Sequence, residues 1–118
     1  MVHTARSELA LDDLFELLAN ERRRRVLEHV RGADGPTGLP QLAADIAKRE
    51  SDGIVDSASP SEVERVQASL HHQHVPKLAE SDVVDRGPDG ETVSSGANVA
   101  DAARLLDAVD RVPSVASN

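Results

Sequence analysis

Apolar residues recur at helical spacing in five stretches of this chain, with polar breaks between them. In residues 11–19, Leu11, Leu14, Phe15 and Leu18 share one face, and Asp12 and Asp13 stand at the positive end of the helix dipole. Asn20 interrupts this run and can cap a second helix over 21–31, whose apolar set is Val26, Leu27 and Val30. Residues 32–38, Gly-Ala-Asp-Gly-Pro-Thr-Gly, have the composition of a loop. The spacing predicts a third helix over 39–50, with Pro40 near its first position and Leu39, Leu42, Ala43 and Ile46 facing inward. Residues 51–59 read as a second, longer loop, in which Ile54 and Val55 can tuck under the helices or meet a partner.

The longest helical stretch, 60–80, organises the rest. Ser59 can cap it, Pro60 suits the first helical position, and Glu62 stands three residues after Ser59 in capping-box spacing. Ser61 and Glu64 repeat that spacing, and Val63, Val66, Leu70 and Leu78 form the buried face. Pro76 cannot donate to the carbonyl of His72, so a kink is expected there. A polar corner, Glu80-Ser81-Asp82, leads into residues 83–94, where Gly87-Pro88-Asp89-Gly90 predicts the turn of a hairpin. Asn98 can cap a last helix over 98–111. Val99, Ala102, Ala103, Leu106 and Val109 line one of its faces, and Leu105, Ala108 and Val112 form a second strip. Two apolar strips suit packing on its own domain and on a second copy of the chain.

Helix, corner, strand, turn and strand is the order of a winged helix-turn-helix. The expected fold is therefore mainly α with a small β-hairpin. A flexible N-terminus (1–10) precedes one domain (11–110), in which 83–94 forms the wing and 98–111 a dimerising helix. A flexible tail (111–118) follows. The loop over 51–59 is longer than the three or four residues of a compact helix-turn-helix. If Val63, Val66 and Leu70 point inward, the opposite face of the long helix presents Glu64, Arg65, Ala68, His71 and His72, with Gln67 and Ser69 at its margins. Such a set can read a major groove, since Arg recognises guanine, Gln recognises adenine and an Ala methyl can touch thymine. Arg65, Gln67, Ser69, His71 and His72 are the expected DNA contacts, and Arg86 in the wing adds a backbone contact. An ordinary solvated helix face is the competing interpretation.

Charge changes this picture. The chain carries 21 Asp and Glu against 13 Lys and Arg, a formal net charge of -8. Glu62 and Glu64 would stand near phosphates, and no basic patch of the usual nucleic-acid-binding kind is present. Only Lys48 and Lys77 are lysines, and Phe15 is the one aromatic residue. Acidity with few lysines and small apolar residues resembles the proteins of salt-loving archaea; an acidic protein of a GC-rich genome has the same signature. At about 1 M salt the Debye length is roughly 3 Å, so an acidic surface would repel DNA only weakly. The run Arg22-Arg23-Arg24-Arg25 could contact phosphate. Pairing at four-residue spacing, Glu21 with Arg25 and Arg24 with Glu28, is the favoured account of it.

The remaining chemistry is sparse. There is no cysteine, phosphate-binding glycine loop or nucleophile motif, so no enzyme activity and no cofactor are expected. His71, His72 and His74 lack the four-residue spacing that most easily brings two imidazoles to one metal, so none is expected; His74 is predicted to lie near the core with a hydrogen bond. No apolar run approaches the roughly 20 residues of a membrane span, and the N-terminus lacks a signal-peptide core. A cytoplasmic protein without membrane contact is the expectation.

Residues 11–27, Leu-Asp-Asp-Leu-Phe-Glu-Leu-Leu-Ala-Asn-Glu-Arg-Arg-Arg-Arg-Val-Leu, resemble the start of haloarchaeal winged-helix proteins related to ArsR-type transcriptional regulators. The resemblance continues through Leu42-Ala43 and is most specific in residues 70–79, Leu-His-His-Gln-His-Val-Pro-Lys-Leu-Ala, followed by Ser81-Asp82-Val83-Val84. It implies a winged helix-turn-helix that forms a homodimer, and fixes the fold better than the role. Two positions depart from the pattern. ArsR-type corners usually carry glycine where this chain has Asp82, and the metal-sensing members use cysteine or well-spaced His and Asp ligands that this chain lacks. The resemblance thus implies no metal sensor; taken with the outer face of the long helix, the expected function is a sequence-specific transcriptional regulator of a halophilic archaeon that binds double-stranded DNA. A protein–protein interaction module on the same fold, without DNA binding, is the alternative that the acidic surface favours.

Overall fold

The computed structural model of the chain describes residues 10–51 and 58–111, with side chains described as far as Val109. The expectations for the N-terminal residues 1–9, for Ile54 and Val55, and for Val112 and the tail lie outside the described residues. The elements run α1 (Leu11–Leu18), α2 (Glu21–Gly32), β1 (Thr37–Gly38), α3 (Leu39–Glu50), α4 (Pro60–Ser69), a π-helical turn (Leu70–His74), α5 (Val75–Glu80), β2 (Val84–Arg86), β3 (Thr92–Ser95) and α6 (Val99–Arg111). The fold is mainly helical with a small three-stranded antiparallel sheet in the order β1-β3-β2.

The helix starts follow local chemistry. The Asn20 side chain accepts from the Arg23 backbone N–H at 3.1 Å, capping α2. At α4 the box is complete: Glu62 N–H donates to Ser59 Oγ at 3.2 Å, and Ser59 N–H donates to the Glu62 carboxylate at 2.9 Å. The core gathers Leu14, Leu17 and Leu18 of α1, Val26, Leu27 and Val30 of α2, Leu39, Leu42, Ala43 and Ile46 of α3, and Val66, Leu70, Val75 and Leu78 of the long helix. Val83, Val84 and Val93 from the hairpin and Ala102 and Leu106 of α6 close it. One face is rotated from expectation: Leu17 points inward on α1, while Leu11 and Phe15 are 58% and 50% exposed.

Residues 32–38 are not loop throughout. Thr37 and Gly38 pair with Val93 and Thr92, and Leu39 N–H donates to Glu91 O at 2.9 Å, so the expected two-stranded hairpin is one side of a larger sheet. Two residues are too few to display an alternating pattern. The ion pairs of Arg22 with Glu50 and of Arg31 with Asp107 tie α2 to α3 and to α6. No helix among the described residues is long and apolar enough to cross a membrane.

The corner between α5 and β2 turns through Asp82, whose φ of 61° lies in the left-handed region. Two bonds fix it: Asp82 N–H donates to Ala79 O, and Val83 N–H to Leu78 O, both at 3.0 Å. A Cβ on Gly96 would strike the Asp82 carbonyl oxygen, so the chain leaving β3 can pass this corner only as glycine. Glycine at position 82 would meet the same φ without the Cβ penalty, offset in part by its greater freedom when unfolded. Asp82→Gly is therefore expected to raise stability by about 0.5 kcal/mol, or Tm by roughly 2 °C. Thermal unfolding checks this, and a lower Tm would mean that the aspartate contributes something its backbone does not require.

Candidate functional site

The long helix is not one uninterrupted α-helix up to Pro76. Its backbone widens one turn earlier, over Leu70–His74, where Val75 N–H reaches back five residues to Leu70 O. The inward side chains explain this. Val66, Leu70, His74 and Leu78 are all buried and stand four residues apart. Strict α-helical geometry, about 100° per residue, would carry Leu78 about 120° around the axis from Val66. A wide turn that absorbs one residue removes about 100° of that drift and returns all four to one face.

The same turn carries His71 and His72 outward, their rings edge to face with centroids 4.7 Å apart. Arg86 of β2 leans back across it, Nη2 donating to His71 O at 3.1 Å and lying 3.5 Å from His71 Nδ1. A cleft of about 300 Å³ opens beside them, lined by Leu39, Glu64, Gln67, Ala68, His71, His72 and Glu91. Of the expected DNA contacts, Gln67, His71 and His72 thus share one cleft and Arg86 joins them through His71. Arg65 is exposed but borders a neighbouring hollow with Arg22, Glu50 and Glu62. Ser69 is half-buried and lines neither. Glu91 was not foreseen, because it reaches the cleft only through the two-residue pairing that sets β3 beside the start of α3.

The arginine run is consumed by the fold. Arg25 pairs with Glu21 at 2.6 Å, as expected, whereas Arg24 donates to Leu18 O at 2.7 Å rather than pairing with Glu28. Arg23 is buried. Its Nε donates to Leu17 O at 2.6 Å and its Nη2 to Glu16 O at 3.1 Å, closing the C-terminal end of α1. Its Nη1 lies 3.3 Å from Nδ1 of His74, which is also buried. Burial holds the His74 imidazole below the ordinary histidine range, and the charges of Arg23 and Arg22 add to this; Glu50 opposes them. Burial also lowers the Arg23 guanidinium from its usual value. The Arg22 hydrogen bond holds the Glu50 carboxyl below its usual range. Among the described residues no group of three or more His, Asp or Glu is arranged to hold a metal ion.

No curated protein and no solved structure matches the chain. The model of one family, described as Domain of unknown function (DUF7344), matches residues 15–94. That span runs from α1 through β3 and contains every residue lining the cleft, while α6 lies beyond it. The match covers more than half of the chain, which therefore belongs to the DUF7344 family.

Proposed function

We propose that this protein is a winged helix-turn-helix regulator that binds double-stranded DNA through α4 and the π-helical turn. The observation that carries this reading is the path β1-α3-α4-β2-β3, closed as a sheet in the order β1-β3-β2, with the outer face of α4 left exposed beside it. Arg65, Gln67 and His72 would face bases, Ser69 and His71 the margin of the groove. Arg86 is spoken for by His71 O and would act chiefly by holding the turn. A second copy would meet this one through α1 and α6, where Leu11, Phe15 and Val109 are exposed. Counterion release contributes little at the high salt of a halophilic cytoplasm, so base contacts and DNA shape would carry the affinity. The chain is read as a binding protein rather than an enzyme.

Fluorescence anisotropy in molar KCl against a pool of promoter fragments tests this. One fragment should be preferred, and Arg65→Ala with His72→Ala should weaken that preference at least about tenfold, each lost base contact being worth about 1–3 kcal/mol. A pool bound without preference, or a double variant that binds as the native chain does, sinks the reading. The presence of Glu64 and Glu91 in the cleft favours a second reading, a module that takes a basic protein partner on the same face. A stoichiometric protein partner recovered without selective DNA enrichment would establish that alternative.

A further inference from the structure

We propose that the Arg23–His74 contact is an acid-sensitive latch joining the C-terminal end of α1 to the π-helical turn that presents the candidate binding surface. His74 is 3% exposed, and its Nδ1 faces a guanidinium already committed to two α1 carbonyls. Arg23 has only donors, so Nδ1 must accept, which requires the neutral imidazole with its proton on Nε2. A second proton on the ring converts that acceptor into a donor and sets two cations against each other in a buried place. The latch then holds only while His74 is neutral.

The charged groups around it do not rescue the protonated state. From α2, Arg23 and Arg22 both oppose a second positive charge. From α3, Glu50 attracts it, but that carboxylate is engaged by Arg22 at 2.5 and 2.9 Å. From α1, the Glu16 carboxylate lies 3.5 Å from Lys77 of α5. On the turn itself, His71 is half-buried and His72 exposed, so neither shares the enclosed place of His74.

The consequence is specific to place. In acid, what loosens first is the seam between α1 and the turn, not the core around Leu27. His71, His72 and the carbonyl that accepts from Arg86 all belong to this turn, so its geometry follows the state of His74 whatever ligand the surface takes. The sign follows from linkage. A folded value below the unfolded one makes the neutral ring a source of stability that is complete above the ordinary histidine range. That stability is lost as pH falls from there towards the lowered folded value.

Histidine-resolved NMR titration of the full chain, with amide-exchange protection factors followed in parallel from pH 7.5 to 4.5, tests the latch. His74 should show the Nε2-protonated tautomer and should titrate below the ordinary histidine range. Protection of residues 14–18 and 70–75 should fall by up to about tenfold per pH unit within that window while Leu27 stays protected. In His74→Gln, whose amide oxygen can accept from Arg23 but cannot take up a proton, protection in both segments should not depend on His74-range pH. Should that variant not fold, the native chain decides: loss confined to these segments and tracking the His74 titration supports the latch. A His74 that titrates within or above the ordinary histidine range overturns it. So does an acid response that is the same in His74→Gln, or one that spreads evenly to Leu27.

Discussion

Arg23→Met should lose about 3 kcal/mol of folding stability and lower Tm by roughly 10 °C. Arg23 is 8% exposed, and its guanidinium places donors on Leu17 O, Glu16 O and the ring of His74. Methionine fills much of the same volume but leaves the Leu17 carbonyl and one imidazole nitrogen without a donor, and leaves Glu16 O with the Ala19 N–H alone. Hydrogen bonds from a charged donor contribute about 1.5–3 kcal/mol each. Burying the cation works against them, as its lowered pKa records, so the net effect falls well below their sum. Arg23→Lys should fall between the two, because one ammonium cannot span three acceptors set at different angles. Urea unfolding of the three proteins checks this. If both variants unfold within about a degree of the native chain, Arg23 is a passenger in the core and the α1 contacts are held by leucine packing alone.

Leu70→Ala should be of similar or greater effect, about 3–4 kcal/mol. Leu70 is fully buried at the point where α4 passes into the π-helical turn, so its removal leaves a cavity directly beneath the candidate surface. The loss should appear as a lower urea midpoint with an unchanged slope, since the unfolded chain exposes nearly the same surface. A loss under about 1 kcal/mol would mean that the turn rewinds into ordinary α-helix and fills the space, and that the wide turn depends on Leu70 rather than on the four-residue spacing of the buried set.

That spacing shows where sequence was sufficient and where it fell short. Asn20, Ser59 and Glu62 announced their caps because a cap is a local bond between residues two or three apart. The π-helical turn was also written in the chain, as Val66, Leu70, His74 and Leu78, but a polar histidine in an apolar series hid it. Pro76 signals only the lost donor at the start of α5, not the wide turn that precedes it. Phe15 and Leu17 exchanged roles for a different reason. α1 is only eight residues long, and a shift of its inward face costs little when partners outside it, such as Arg23 of α2, choose the docking angle. Of the candidate site, Gln67, His71 and His72 were legible from the helical wheel, whereas Glu91 depended on a contact between segments more than fifty residues apart.

The sheet leaves little room for growth. Its middle strand, β3, is satisfied on both sides, while the two borders are β1 with two residues and β2 with three. A strand from another molecule needs a row of free amides and carbonyls to template on, and borders this short offer almost none. Any assembly of these chains is thereby steered away from strand addition and towards their helical faces.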